Sequence, residues 1–180
     1  FFGLPGTKIH GSKYCERAID SGASLAVHNN PDYKNENLNV FYIKDLEEKI
    51  VDFLSNLYHL DLNQHNFFAF TGTNGKTSSA YLCHQILIDQ GNMSLYVGTL
   101  GVQLNHEKII TDLSSKTTPD IFELFHILHS LGLDDALNIC IELSSHALDQ
   151  GRLNNIDWLN STSILNITND HMDYHKNIEA

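Results

Sequence analysis

Eight consecutive residues, Thr71-Gly72-Thr73-Asn74-Gly75-Lys76-Thr77-Ser78, combine glycines, a lysine and hydroxyls in an order suited to holding phosphate. The glycines let a backbone turn tightly and bring its N–H groups close to an anion. Lys76 would neutralise β- and γ-phosphates, and the Thr77 hydroxyl would reach a Mg2+ ion bound to them. The apolar run Phe67 to Phe70 in front reads as a strand buried on both faces, and Lys76 to about Asp89 reads as a helix. A glycine turn between strand and helix is the setting a phosphate loop requires, because the helix N-terminus adds partial positive charge. Gly72, Thr73, Asn74, Gly75, Lys76, Thr77 and Ser78 are therefore the candidates for nucleotide contact. The loop is shorter than the general Gly-x-x-x-x-Gly-Lys-Ser/Thr pattern: Phe70 stands where that pattern has its first glycine.

Three further clusters could do chemistry. Glu142-Leu143-Ser144-Ser145-His146 runs on to Gln150-Gly151-Arg152 directly after the apolar residues Ile139 to Ile141. Ligands of open α/β sheets sit at the carboxyl ends of strands, and a carboxylate there can hold Mg2+, which prefers oxygen. Asn166 to His175 places two histidines and two aspartates within six residues after another apolar run, groups able to serve a metal or polarise a phosphate oxygen. Lys116-Thr117-Thr118-Pro119-Asp120 precedes a helical pattern. Its hydroxyls and free helix N–H groups suit an anionic ligand, and the plainer reading is a helix capped by Thr118 with Pro119 in its first position.

These strings together resemble the Mur ligases, ATP-dependent enzymes that build the peptidoglycan precursor. The short loop with Thr-Asn between its glycines, the Glu142 to His146 string and Asp170-His171-Met172-Asp173-Tyr174-His175 carry the likeness. The Tyr174-His175 pair is most similar to the branch that adds the third residue of the stem peptide. The resemblance implies that Lys76, Glu142 and His171 are catalytic, and that Thr77, Glu142 and His171 hold Mg2+. It implies that Lys116, Thr117, Thr118, Ser144, Gln150 and Arg152 contact a UDP-muramyl peptide. It further implies that Thr7, Lys8 and Ile9 touch the uridine diphosphate end. Lys116 stands where the family usually has Asn, Lys176 where Gly usually follows, and His10 where it has Asp.

The implied cofactors are ATP and Mg2+. The implied activity is ligation of meso-diaminopimelate or L-lysine to UDP-MurNAc-L-Ala-D-Glu through an acyl phosphate. Alternatives within reach of the same motifs are a folylpolyglutamate synthase-like ligase and a nucleotide binder without catalysis. A P-loop GTPase or kinase fits less well, because the loop is short and no Asn-Lys-x-Asp string is present.

The elements that must position these residues alternate between apolar periods of two and of about 3.6. Strand readings fall at Ser24 to Val27, Val40 to Ile43, Phe67 to Phe70, Leu95 to Val97, Asn138 to Leu143 and Ser163 to Ile167. Helix readings fall at Ser12 to Ser21, Leu46 to Leu57 with Asp45 as cap, Lys76 to Asp89, and onward from Pro119. Val102 to Ile110 reads as a hairpin and Leu60 to Asn66 as a linker. The alternation predicts an α/β fold with a mostly parallel sheet. By resemblance, residues 1–61 are part of a smaller UDP-muramyl-binding α/β domain. Residues 62–180 are then a P-loop-type ATPase domain that stops short of the family's carbamylated lysine and of its C-terminal domain. The piece is expected to be inactive alone, and its start, apolar and without Met, reads as though upstream sequence were cut away.

Apolar residues make up 42% of the 180 and charged residues 18%, a composition able to build a core. The net charge of −11 with 11 Lys and Arg excludes the basic face that polynucleotide binding needs. No apolar run is long enough to span a membrane, and no signal peptide is visible. Cys15, Cys83 and Cys140 are odd in number and widely spaced, which predicts free thiols. The expectation is a cytoplasmic monomer whose partners are small molecules, with no nucleic acid and no membrane insertion.

Overall fold

The structure is a computed structural model that describes residues 1–6, 8–109, 117–132 and 135–168. The chain divides into two units, Phe1–Phe53 and one beginning at Leu54.

The first unit carries a three-stranded parallel sheet in the order β1 (Phe2–Gly3), β2 (Ala26–His28), β3 (Val40–Tyr42). A 3-10 turn, Gly11–Tyr14, leads into helix α1 (Cys15–Asp20) between β1 and β2. Cys15, Ala26 and Val40 form the core of this unit, with Ile19 and Tyr33 packed against them. The expected single helix from Ser12 is thus split. Gly11 N–H donates to Leu4 O at 2.7 Å, which draws the first turn tight against the chain leaving β1. His10 caps that turn, its Nδ1 accepting from Ser12 N–H at 3.1 Å.

Asp45 does not cap the next helix. A 3-10 turn, Glu47–Lys49, begins after Leu46, whose side chain is buried, and helix α2 (Ile50–Tyr58) continues from it. Burying Leu46 fixes the entry of this segment in place of a polar cap. The expected linker from Leu60 holds a third short turn, Leu62–Gln64, capped by Asp61 and anchored by buried Leu62 and His65.

The second unit is built on a six-stranded sheet in the order β7-β6-β5-β8-β4-β9. In chain order the strands are β4 (Asn66–Thr71), β5 (Ser94–Gly98), β6 (Gly101–Leu104), β7 (Glu107–Ile109), β8 (Asn138–Leu143) and β9 (Ser161–Ile164). β5, β8, β4 and β9 are parallel, and β6 and β7 add the expected hairpin at one edge. Helix α3 (Lys76–Asp89) links β4 to β5 and packs on β8, β5 and β4. Helix α4 (Ile121–Leu131) buries Ile121, Leu124, Phe125 and Leu128, the face its sequence spacing predicts, and Ile127 besides. A short helix α5 (Ser145–Asp149) follows β8. The mostly parallel α/β sheet is as the alternation of periods predicts.

β8 is buried along Ile139 to Leu143, as befits a strand with a neighbour on each side. Because β8 lies between β4 and β5, their carboxyl ends meet at one place. The phosphate loop leaves β4, Glu142 lies near the end of β8, and the turn at Gly98-Thr99 leaves β5. None of the described helices is long and apolar enough to cross a membrane. Cys15, Cys83 and Cys140 are free thiols.

Candidate functional site

Local forces shape the loop first. Gly72 has φ 140° and Gly75 has φ 87°, both in the region that favours glycine. A Cβ on Gly72 would also lie 2.9 Å from Asn166 O, so the chain after β9 passes too close for any side chain there. Asn166 then grips the loop. Its Oδ1 accepts from Asn74 N–H at 2.9 Å, and its Nδ2 donates to Asn74 O at 2.9 Å. Thr168 N–H donates to Thr73 Oγ1 at 3.0 Å, and that hydroxyl donates to Thr168 O at 3.2 Å. The loop ends in α3, whose first N–H groups have no partner within the helix by the geometry of any helix start. Lys76 Nζ folds over the loop and donates to Gly72 O at 2.6 Å and Thr73 O at 3.2 Å.

Glu142 is fully buried. Its Oε2 accepts from Thr77 Oγ1 at 2.9 Å and Thr99 Oγ1 at 3.0 Å. Its Oε1 accepts from Thr99 N–H at 2.9 Å and from the Tyr96 hydroxyl. Among the described residues these partners are all neutral. A buried carboxylate ringed by neutral donors is costly unless a cation joins it. Burial, reinforced by the bond to Glu142, holds the Tyr96 phenol far above its ordinary range, so at neutral pH it is a donor. Gly98 makes the arrangement possible, since a Cβ there would collide with the Glu142 carboxylate and the Tyr96 hydroxyl.

Thr77 Oγ1, Thr99 Oγ1 and Glu142 Oε2 are three oxygens at one point, the donor type a hard divalent cation takes. Among the described residues no cluster of three or more His, Cys, Asp or Glu side chains is present. A small protein donor set of this kind suits Mg2+, which keeps several waters and takes further oxygens from phosphates.

Thr118 is buried and does not cap α4. Its hydroxyl donates to Glu142 O at 2.8 Å and accepts from Ser144 N–H at 2.9 Å, locking the end of β8. Asp120 caps α4 instead, in a reciprocal box with Glu123, and the helix opens at Ile121 rather than at Pro119. The box satisfies two free donors at once, whereas Thr118 has a better partner in the strand. Thr117 lies 3.4 Å from Thr99 through their hydroxyls. Ser144 Oγ caps α5 by accepting from Ala147 N–H at 3.2 Å. Arg152 donates to Gln150 Oε1 at 2.8 Å and to Thr118 O at 3.4 Å, so it reaches the same strand end.

The structure therefore gathers Thr77, Glu142, Thr117, Thr118, Ser144 and Arg152, with Gln150 beside Arg152. Lys8 and Ile9 belong to the first unit. Thr7, Lys116 and His171 lie outside the described residues. Sequence reasoning missed Tyr96, Gly98 and Thr99, although a Gly-Thr pair directly after an apolar strand is the same kind of signal that marks Glu142. It quoted Asn166 without seeing that its amide grips the phosphate loop.

Comparison with known proteins agrees with the α/β fold. The chain is 30% identical over 179 residues to a UDP-N-acetylmuramoyl-L-alanyl-D-glutamate–2,6-diaminopimelate ligase of Halalkalibacterium halodurans, covering 99% of this chain and 36% of that one. It is 32% identical to the enzyme of the same name from Rickettsia typhi, covering 97% and 35%. It is 31% identical to the corresponding L-lysine ligase of Staphylococcus haemolyticus, covering 100% and 36%. A solved diaminopimelate ligase structure superposes with a TM-score of 0.72 at 25% identity, over 94% of this chain and 33% of that one. The chain thus spans about a third of the length of the relatives it matches. Residues 70–180, more than half of the sequence, match the Mur ligase middle domain, and the chain belongs to the Mur ligase family.

Proposed function

We propose that this chain is the nucleotide-binding part of an ATP-dependent ligase of the diamino-acid-adding branch, MurE. It would join meso-diaminopimelate or L-lysine to UDP-MurNAc-L-Ala-D-Glu. The observation that carries this reading is the 2.9 Å bond between Thr77 of the phosphate loop and the buried Glu142. It supports the reading by joining the helix that follows the glycine loop to a buried carboxylate at one point.

In this reading the loop N–H groups and Lys76 hold the ATP phosphates, with Lys76 exchanging its two carbonyl partners for phosphate oxygens. Thr77 and Glu142 hold Mg2+, which when bound neutralises charge on the transferring phosphoryl group. The γ-phosphoryl group passes to an oxygen of the D-Glu carboxylate and ADP leaves. The incoming amine attacks the acyl carbon, inorganic phosphate departs, and the nitrogen loses a proton. Thr117, Ser144, Gln150 and Arg152 orient the muramyl peptide beside the nucleotide, and Thr118, buried with its hydroxyl on Glu142 O and Ser144 N–H, keeps the end of β8 in place for them. Lys116 and His171 take the roles the family assigns to them, substrate contact and second metal ligand. Residues 1–61, through Thr7, Lys8 and Ile9, contribute part of the uridine diphosphate site, and 62–180 the ATP domain.

The test is phosphate release from ATP by the full-length protein that carries this chain, with UDP-MurNAc-L-Ala-D-Glu and either amino acid. Release that depends on one of them supports the reading and names the substrate. Release with neither, in a protein that binds ATP, removes it.

A further inference from the structure

Glu142 can offer only one of its two oxygens. A carboxylate oxygen has two lone-pair sites, and Oε1 has both filled, by the Tyr96 hydroxyl and by Thr99 N–H. The second of these donors is backbone and cannot turn away. Oε2 is held differently. Its partners are the hydroxyls of Thr77 and Thr99, at 2.9 and 3.0 Å, and a hydroxyl can rotate its proton aside and present a lone pair instead. A cation can therefore enter on Oε2 with both hydroxyls turning to face it, while Oε1 stays bound.

Tyr96 is itself fixed. It is fully buried on β5, and its ring meets Tyr81 edge-on at 5.5 Å and 85°. Tyr81 sits four residues after Thr77 on α3, so one helix carries both the hydroxyl on Oε2 and the ring that backs Tyr96. The space that admits the Tyr96 hydroxyl exists only because residue 98 is glycine.

We propose that Tyr96 is a positioning residue that locks Glu142 as a one-oxygen cation ligand, with the Thr99 hydroxyl completing the set formed by Glu142 Oε2 and Thr77. This rests on the ligase reading insofar as the cation accompanies a nucleotide. Tyr96 does not touch the cation; it acts by holding Oε1.

The experiment is Mn2+ binding in the presence of ADP, followed by loss of the free-Mn2+ resonance, on the unaltered protein, Tyr96→Phe, Thr99→Val and Thr99→Ser. Tyr96→Phe keeps the ring and removes the hydroxyl. It should weaken Mn2+ by roughly 10-fold or more, the scale for losing a group that orients a ligand, while ADP affinity in chelator stays unchanged. Thr99→Val should weaken Mn2+ in the same way, and Thr99→Ser should restore it. Unaltered Mn2+ affinity in folded Tyr96→Phe overturns the role of Tyr96. If that variant does not fold, unaltered affinity in Thr99→Val overturns the proposed donor set. Failure of the unaltered protein to bind Mn2+ with ADP overturns the ligase reading as well, so the two failures are distinguishable.

Discussion

Glu142 concentrates the cost and the use of this site in one side chain. A carboxylate removed from water and given only hydroxyl and N–H donors is held in readiness for a positive charge. The donors keep it in place, and a cation would supply the charge they lack. Glu142→Gln preserves shape and removes that charge. It should lower ATP-dependent phosphate release by roughly 10²–10³-fold, comparable to losing one strong electrostatic contact to the transition state. Nucleotide binding measured in chelator should persist, because the loop N–H groups and Lys76 remain. Full activity in the glutamine variant would remove Glu142 as a metal ligand.

At the scale of elements, the site depends on caps as much as on strands. The Asp120–Glu123 box caps α4 two residues after Thr118 and so fixes where the Thr117-Thr118 segment ends. The same helix start is tied to the chain after α5 by Ile121 N–H on Arg152 O at 2.8 Å. Gly151, at φ 56°, reverses α5 and lets Arg152 N–H return to Ala147 O at 2.9 Å, the turn that brings the arginine back toward Thr118. Asp120→Ala should cost about 1 kcal/mol of stability, the usual loss for a capping carboxylate, read as a lower urea midpoint. An unchanged midpoint would mean that packing of the buried α4 face alone sets the helix start.

The elements also show what a linear sequence conveys. β4, the loop and α3 are contiguous, so their apolar run, glycines and lysine announce them without help from the rest of the chain. Glu142 was legible because it closes an apolar strand. Tyr96 and Thr99 were not, because their importance comes from β5 lying next to β8, 46 residues from Tyr96 to Glu142. No local period encodes strand order. Asn166 was hidden for the same reason, its loop partner lying 92 residues away. The cap of α4 was misjudged because the segment held two capping signals, and only the tertiary bond of Thr118 to Glu142 O decides between them.

For the molecule as a whole, acidity should be a weakness of the second unit. His65 and His84 are both buried there, and burial lowers the pKa of each below the ordinary histidine range. His65 Nδ1 accepts from Leu137 N–H at 3.2 Å, and His84 bridges Ser94 Oγ at 2.8 Å and Asn105 O at 2.9 Å. The His65 bond uses the neutral ring, and burial disfavours the charged form of both rings. The unfolded chain therefore takes up protons that the folded unit refuses, so stability is complete above the unfolded histidine pKa of about 6.5 and falls as pH drops through it. The urea midpoint of this unit should be lower at pH 5.5 than at pH 7.5. An equal or higher midpoint at the lower pH would show that these rings are not held neutral.

The strand order has a consequence for how such a molecule comes into being. β4 and β5 are synthesised early and are separated in the finished sheet by β8, which follows β5 by some forty residues. Until β8 has left the ribosome, β4 has no partner strand and β5 has one open edge, and the gap between them is where the carboxylate will sit. The innermost strand is thus a late arrival, and pairing of this long-range kind is the slow step of many folds. The binding site is a keystone laid after its arch.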